Sequence, residues 1–245
     1  MTDGVLLIHA FPLDARMWEP QLGVFADALP VVAPHLPGFG GTAGAGDVMS
    51  MASAAKRCIE ALDAAGVDRA MVCGLSMGGY VALELWRRWR TRFLGLVLAN
   101  TRAGADTEEG AAGRRALAER LRAEGNDFLV ESPPPLLSED ASDALRLRVR
   151  ELIAGQPAVS IAAAALGMAE RPDSTPDLAT IDVPTLVITS DADTLIPPEV
   201  TSPMAGQIPG AKLAVIDGAG HLSNLEAPAA FAELLAVHLE RCLTE

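Results

Sequence analysis

Gly74-Leu75-Ser76-Met77-Gly78-Gly79 decides how this chain is read. The apolar run Ala70-Met71-Val72-Cys73 before it reads as a buried strand. From Met77 onward, apolar residues at 81, 82, 85, 86 and 89 recur at helical spacing. A serine hydroxyl is a weak nucleophile until a base takes its proton, and it must stand where a carbonyl can approach. A sharp strand-to-helix turn meets the second need. It strains the serine backbone and brings strand and helix so close that flanking positions must lack a Cβ. The plain alternative is a glycine-rich helix start with Ser76 as a cap. The strand before, the helix after and the third glycine favour a nucleophile.

Working outward, short apolar runs alternate with helical patterns. Strands are expected at 5–8, 30–34, 70–73, 95–99, 185–189 and 212–216. Helices are expected at 20–29, at 53–65 with Ser53 or Ser50 as cap, at 77–89 and at 228–242. Continuous apolar strands joined by helices predict an α/β fold with a mostly parallel sheet flanked by helices. Residues 101–178 break this rhythm. They hold helical patterns at 108–124, 140–154 and 158–169 but no convincing strand. The expected organisation is a core of 1–100 and 179–245 with a helical cap inserted at 101–178.

The bulk properties narrow the function classes. The chain has 245 residues, half of them apolar, which is enough for one large α/β core. No run approaches eighteen apolar residues, so no membrane span is expected. The N-terminus lacks a basic stretch followed by a long apolar one, and a cytoplasmic location is expected. A net charge of −13 works against binding nucleic acid or an anionic membrane surface. Cys58, Cys73 and Cys242 are scattered without metal-ligand spacing and read as buried thiols. No metal or organic cofactor is implied.

A serine nucleophile needs a base, an acid to orient it and donors for the developing oxyanion. Among the four histidines, His221 in Gly218-Ala219-Gly220-His221-Leu222 lies on a loop between a strand and the last helix, free to project into a site. His238 reads as a packing residue, His35 as part of a turn, and His9 as a support for the loop after the first strand. Asp191 and Asp193 both follow the strand at 185–189, and spacing alone leaves the choice open, because either could merely close a turn. The order serine, aspartate, histidine suits this fold. Met77 N–H, at a helix N-terminus, is one oxyanion donor. The second should come from the loop after strand 5–8. Pro12 has no N–H, which points to Phe11.

These stretches resemble the α/β-hydrolase-fold serine esterases, above all the small capped branch that includes 3-oxoadipate enol-lactonase-like and pimeloyl-ester-esterase-like enzymes. The resemblance rests on His9-Ala10-Phe11-Pro12, Leu36-Pro37-Gly38-Phe39-Gly40, Gly74 through Gly79, Val183 through Ile188, Asp193 through Pro197, and Gly220 through Pro228. It implies Asp193 as the acid, because the family's acid lies three residues after a strand-end glycine, here Ser190, with a proline four residues later. It implies a small-molecule ester or lactone as substrate. Carbon–carbon bond hydrolase, thioesterase and perhydrolase activities use the same triad and are the alternatives. A non-catalytic small-molecule receptor on the fold is the alternative from another class. Met168, Leu195 and Leu222 are expected to line the pocket. The chain departs from the pattern at Ala10, where a glycine is usual, and at His35, where an aspartate is usual. The family's first two strands also have no counterpart ahead of Val5. The usual eight-stranded sheet should therefore be shortened, with an edge at which a second copy could pair.

Overall fold

The computed structural model describes residues 1–25, 29–44 and 46–244. Six strands form one all-parallel sheet: β1 (Asp3–Ile8), β2 (Val31–Val32), β3 (Arg69–Leu75), β4 (Phe93–Ala99), β5 (Thr185–Ser190) and β6 (Lys212–Ile216), in the order β2-β1-β3-β4-β5-β6. Strands β1, β3, β4 and β5 are buried almost throughout, because helices cover both faces. That is why they read as continuous apolar runs rather than alternating ones. The chain leaves β1 for β2 on one side and returns to β3 on the other. The carboxyl ends of β1 and β3 therefore flank a crevice where the winding reverses, the usual place for a ligand in an open α/β sheet.

Six longer helices matter here: α1 (Met51–Ala64), α2 (Met77–Arg88), α3 (Glu108–Glu124), α4 (Asp143–Ala154), α5 (Ala158–Ala169) and α6 (Pro228–Thr244). Ser50 caps α1, accepting from Ser53 N–H at 3.1 Å. Thr107 and Ser142 cap α3 and α4 in the same way. Between β4 and β5 the described chain is helical and without a strand. The alanines of α5 keep it thin enough to lie on the backbone before α1. Met49 N–H donates to Ala163 O at 3.0 Å, and a Cβ on Gly167 would overlap the Met49 carbonyl. Helix α3 packs on α5 from the other side. No single helix among the described residues is long and apolar enough to cross a membrane.

Two sequence expectations are corrected. The helix expected at 20–29 is one short turn, Glu19–Leu22, after a 3-10 turn at Ala15–Trp18. Gly23 and β-branched Val24 give it no reason to continue, and 26–28 lie outside the described residues. The strand expected at 30–34 shrinks to Val31–Val32, because Pro30 and Pro34 have no N–H for the ladder.

Another tight joint in the fold is the passage of α2 across β1. A Cβ on Gly78 would overlap the carbonyl oxygen of Ile8, which is backbone and cannot swing away. Gly78→Ala should cost more than about 2 kcal/mol. Gly23→Ala, where nothing lies within 4 Å, should be neutral or stabilising. Urea unfolding midpoints decide this, and an unchanged midpoint for Gly78→Ala would contradict the close approach.

Candidate active site

Ser76 joins β3 to α2 with φ 55 and ψ −116, a left-handed backbone that an L residue adopts only under constraint. The constraint comes from both sides. Ser76 N–H donates to Ala99 O at 2.9 Å, and Ser76 O accepts from Thr101 Oγ1 at 2.7 Å and Gly79 N–H at 2.9 Å. A Cβ on Gly74 would overlap the Gly78 carbonyl, so strand and helix meet as closely as the motif implied. Met77 opens the helix, so its N–H is among those without an intrahelical acceptor.

Phe11 follows β1 on the adjoining strand. The loop is anchored by His9, which is fully buried. His9 Nε2 accepts from Leu36 N–H at 3.1 Å, so the proton resides on Nδ1, which donates to Ala10 O at 3.0 Å. Burial lowers its pKa from 6.5 to about 4, and the ring is neutral at ordinary pH. Ala10 needs no glycine: among the described non-glycine residues only Ser76 and Asn100 have positive φ. His35 lies outside the cavity at Ser76 described below. Its Nδ1 accepts from Ala15 N–H at 3.3 Å and stands 4.0 Å from Asp14 Oδ1, whose buried carboxylate also holds Arg16 and Gln156.

His221 and Asp193 are hydrogen-bonded, Nδ1 to Oδ2 at 2.8 Å, with both side chains out of contact with solvent. Burial opposes the charge of Asp193. The hydrogen bonds from His221, Ile196 N–H and Asn100 outweigh it and hold the carboxyl below its ordinary pKa. Asp193 Oδ1 accepts from Leu195 and Ile196 N–H, both at 2.9 Å. His221 Nε2 is buried and makes no hydrogen bond among the described residues. Asp191 is exposed and ties the loop after β5 to the one after β6, accepting from Gly218 N–H at 2.6 Å.

Sequence reasoning passed over Asn100. It is fully buried with φ 44, directly after β4. Its Nδ2 donates to Asp193 Oδ2 at 2.9 Å and to Ser190 Oγ at 3.0 Å, and its Oδ1 accepts from Ser223 Oγ at 2.7 Å. Ser190, standing where the family pattern has glycine, is thus part of this network. An asparagine after a strand reads as a turn residue, and only its positive φ and lack of exposure give it away. Glu226 was also unremarked. It accepts from Gly220 N–H at 2.8 Å and from Ser138 N–H and Oγ at 3.1 and 2.5 Å, while Leu222 N–H donates to Leu136 O at 2.9 Å.

A cavity of about 630 Å³ opens at Ser76. Phe11, Tyr80, Leu117, Phe128, Met168 and Leu195 are among its walls, so the loops and helix that follow the core strands share it with the helical stretch. Leu222 does not line it. That residue starts the turn Ser223–Glu226, its backbone tied to Leu136, and its side chain is fully buried in the core. The group with Asp193 reaches the cavity through Leu195 and Ile196, which line it, and the group with Ser76 directly. Among the described residues, no cluster of three or more His, Cys, Asp or Glu is placed to hold a metal ion.

With this geometry in view, the sequence profile of the alpha/beta hydrolase family matches residues 5–234. The chain is 30% identical over 240 residues to 3-oxoadipate enol-lactonase 1 of Acinetobacter baylyi, covering 95% of this chain and 87% of that one. It is also 30% identical over 241 residues to the pimeloyl-[acyl-carrier protein] methyl ester esterase of Neisseria meningitidis, covering 94% and 91%. Among solved structures, a thermophilic esterase from Thermogutta terrifontis, with malate bound, is similar at 38% identity. Its TM-score is 0.94, over 99% of this chain and 90% of that one.

Two expectations follow from the buried groups. Asn100→Ala leaves the Ser223 hydroxyl without its buried partner and takes one of the donors from Asp193 Oδ2, and should cost about 2–3 kcal/mol, whereas Asp191→Ala should cost under about 1 kcal/mol. Equal unfolding midpoints for the two variants would contradict the network. For His9 the folded pKa, about 4, lies below the unfolded 6.5, so the unfolded chain takes up the proton first as pH falls. Stability should therefore be lost between pH 6.5 and about 4, by up to roughly 3 kcal/mol. Denaturant titrations at pH 7 and pH 5 should show a smaller difference for His9→Asn than for the intact protein.

Proposed function

The chain belongs to the alpha/beta hydrolase family, and on that premise we propose that it is a carboxylic ester hydrolase that works through an acyl-enzyme on Ser76. One observation carries this reading. Ser76, held in a strained turn, borders the same cavity as the backbone that fastens a buried Asp193–His221 pair. The names of similar proteins, esterases and an enol-lactonase, support ester or lactone as the substrate.

His221 Nε2 accepts the Ser76 proton as Oγ attacks the carbonyl carbon. Asp193 keeps the other nitrogen protonated and stabilises the imidazolium that forms. Apo geometry need not show the serine–histidine hydrogen bond, which tightens only when substrate is bound. Phe11 and Met77 N–H groups bind the oxyanion. The imidazolium then gives its proton to the leaving alkoxide. A water, deprotonated by His221, attacks the acyl-enzyme, and the acid leaves as Ser76 regains its proton. In a lactone the freed hydroxyl stays tethered to the acyl group, and deacylation releases a single hydroxy acid. The helical stretch between β4 and β5 serves as the cap, closing the cavity over a small substrate.

Steady-state hydrolysis of p-nitrophenyl esters, acetate through octanoate, tests the reading. The intact protein should turn over and Ser76→Ala should not. Asp193→Asn should fall by about 10⁴-fold. Mass spectrometry should find the acyl group on Ser76. Turnover that survives Ser76→Ala would sink the proposal.

A further inference from the structure

The two oxygens of the Asp193 carboxylate offer about four acceptor sites, and each oxygen holds two donors. Leu195 and Ile196 N–H take Oδ1, while His221 Nδ1 and Asn100 Nδ2 share Oδ2. These donors are not equivalent. Leu195 and Ile196 stand two and three residues beyond Asp193 in its own turn, so they travel with it and fix nothing relative to the rest of the site. His221 is the group that the acid orients. Among the described residues, Asn100 is therefore the one donor that ties this carboxylate to chain outside its own turn and the base. Asn100 is itself held from several sides. Its N–H donates to Ile188 O on β5 at 2.8 Å, and the residue before it, Ala99, takes the Ser76 N–H at 2.9 Å. The Ser223 hydroxyl donates to its Oδ1, and Ser190 Oγ, this chain's departure from the family's glycine, accepts from its Nδ2. The amide has one orientation, because turning it over would set Oδ1 against the Asp193 carboxylate, oxygen to oxygen. Asn100, Ser190, Asp193 and Ser223 are all buried, so bulk water does not compete for these bonds. Glycine would meet a φ of 44 at less cost; what asparagine adds is the amide.

We propose that Asn100 is a positioning residue that keys the Asp193–His221 pair to the strands carrying Ser76, so that His221 Nε2 meets the serine hydroxyl at reaction distance once substrate is bound. It touches neither substrate nor reacting atoms and acts through Asp193. Asn100 does not line the cavity at Ser76, so its loss should slow the chemistry and leave substrate binding in place. This rests on the hydrolase reading above, and the experiment separates the two.

Asn100→Asp keeps the shape, the tolerance of a left-handed backbone and the acceptor for Ser223, but sets an oxygen against Asp193 Oδ2. Asn100→Gly suits the same backbone and removes the side chain altogether. With p-nitrophenyl butyrate, kcat per folded molecule should fall about ten- to a hundredfold in both variants, the size of a small misplacement of catalytic groups, while KM stays within about twofold. Circular dichroism gives the folded fraction. NMR of protein with nitrogen-labelled histidine reads the His221 Nδ1 proton without substrate. That signal should be sharp in the intact protein and shifted or broadened in both variants. If neither variant folds, Ser223→Ala, which only frees the amide to turn, decides by the same split between kcat and KM. An unchanged kcat, a loss that appears in KM instead, or one no larger than the loss of folded protein overturns the positioning role and leaves the hydrolase reading intact. If the intact protein hydrolyses no ester, the hydrolase reading is what fails. The Nδ1 signal then judges the tether alone, and a resonance that the variants leave unmoved overturns it.

Discussion

The left-handed backbone at Ser76 costs about 1–3 kcal/mol, and the rest of the molecule is arranged so that it persists. Strand β3 delivers the serine at the height where Ala99 on β4 can take its N–H. Helix α2 can begin at once only because Gly78 lets it slide over the end of β1. Thr101 ties down the carbonyl. Three neighbouring strands therefore share in holding one residue in a conformation it would not choose alone. Preorganisation has this origin: the parallel sheet is stiff, and the strain is spread over main-chain contacts that cannot relax independently.

A second left-handed residue sits beside the first. Leu75 and Ala99 are paired in the sheet, so Ser76 and Asn100 leave adjacent strands at the same level. Both are bent out of the extended conformation there. One turns a hydroxyl towards the cavity, and the other turns an amide towards Asp193. The amide is suited to this place because it donates to the carboxylate with one end and accepts from Ser223 with the other, without adding charge to a buried site. The aspartate thereby has every contact needed to remain ionised away from water, and its orientation towards His221 is dictated by groups on three different segments of chain.

Much of this was legible in the sequence where local backbone chemistry sets the outcome. Glycines at 74, 78 and 79 announce a close approach, and alternating apolar runs and helical patterns announce the parallel sheet. The structure brings Asp193, not Asp191, to His221. Spacing could not separate the two because both lie in one turn, and what differs is which of them the strand end aims inward. Leu222 was misjudged for a similar reason: proximity in sequence to His221 says nothing about which way the next side chain points. Asn100 was missed because its partners lie 90 or more residues along the chain, a pairing that no single-chain periodicity encodes. The turn at Glu19–Leu22 shows the opposite error, in which a helical pattern is real but too short to propagate.

Glu226 joins two regions that could otherwise move apart. With one carboxylate it grips the loop that carries His221 and the chain at Ser138, and the Leu222–Leu136 bond doubles the seam. The roof of the cavity is therefore sewn to the floor along that margin. Lifting it there would pull on the imidazole and spoil its alignment with Asp193, so a door on that side would disarm the enzyme each time it opened.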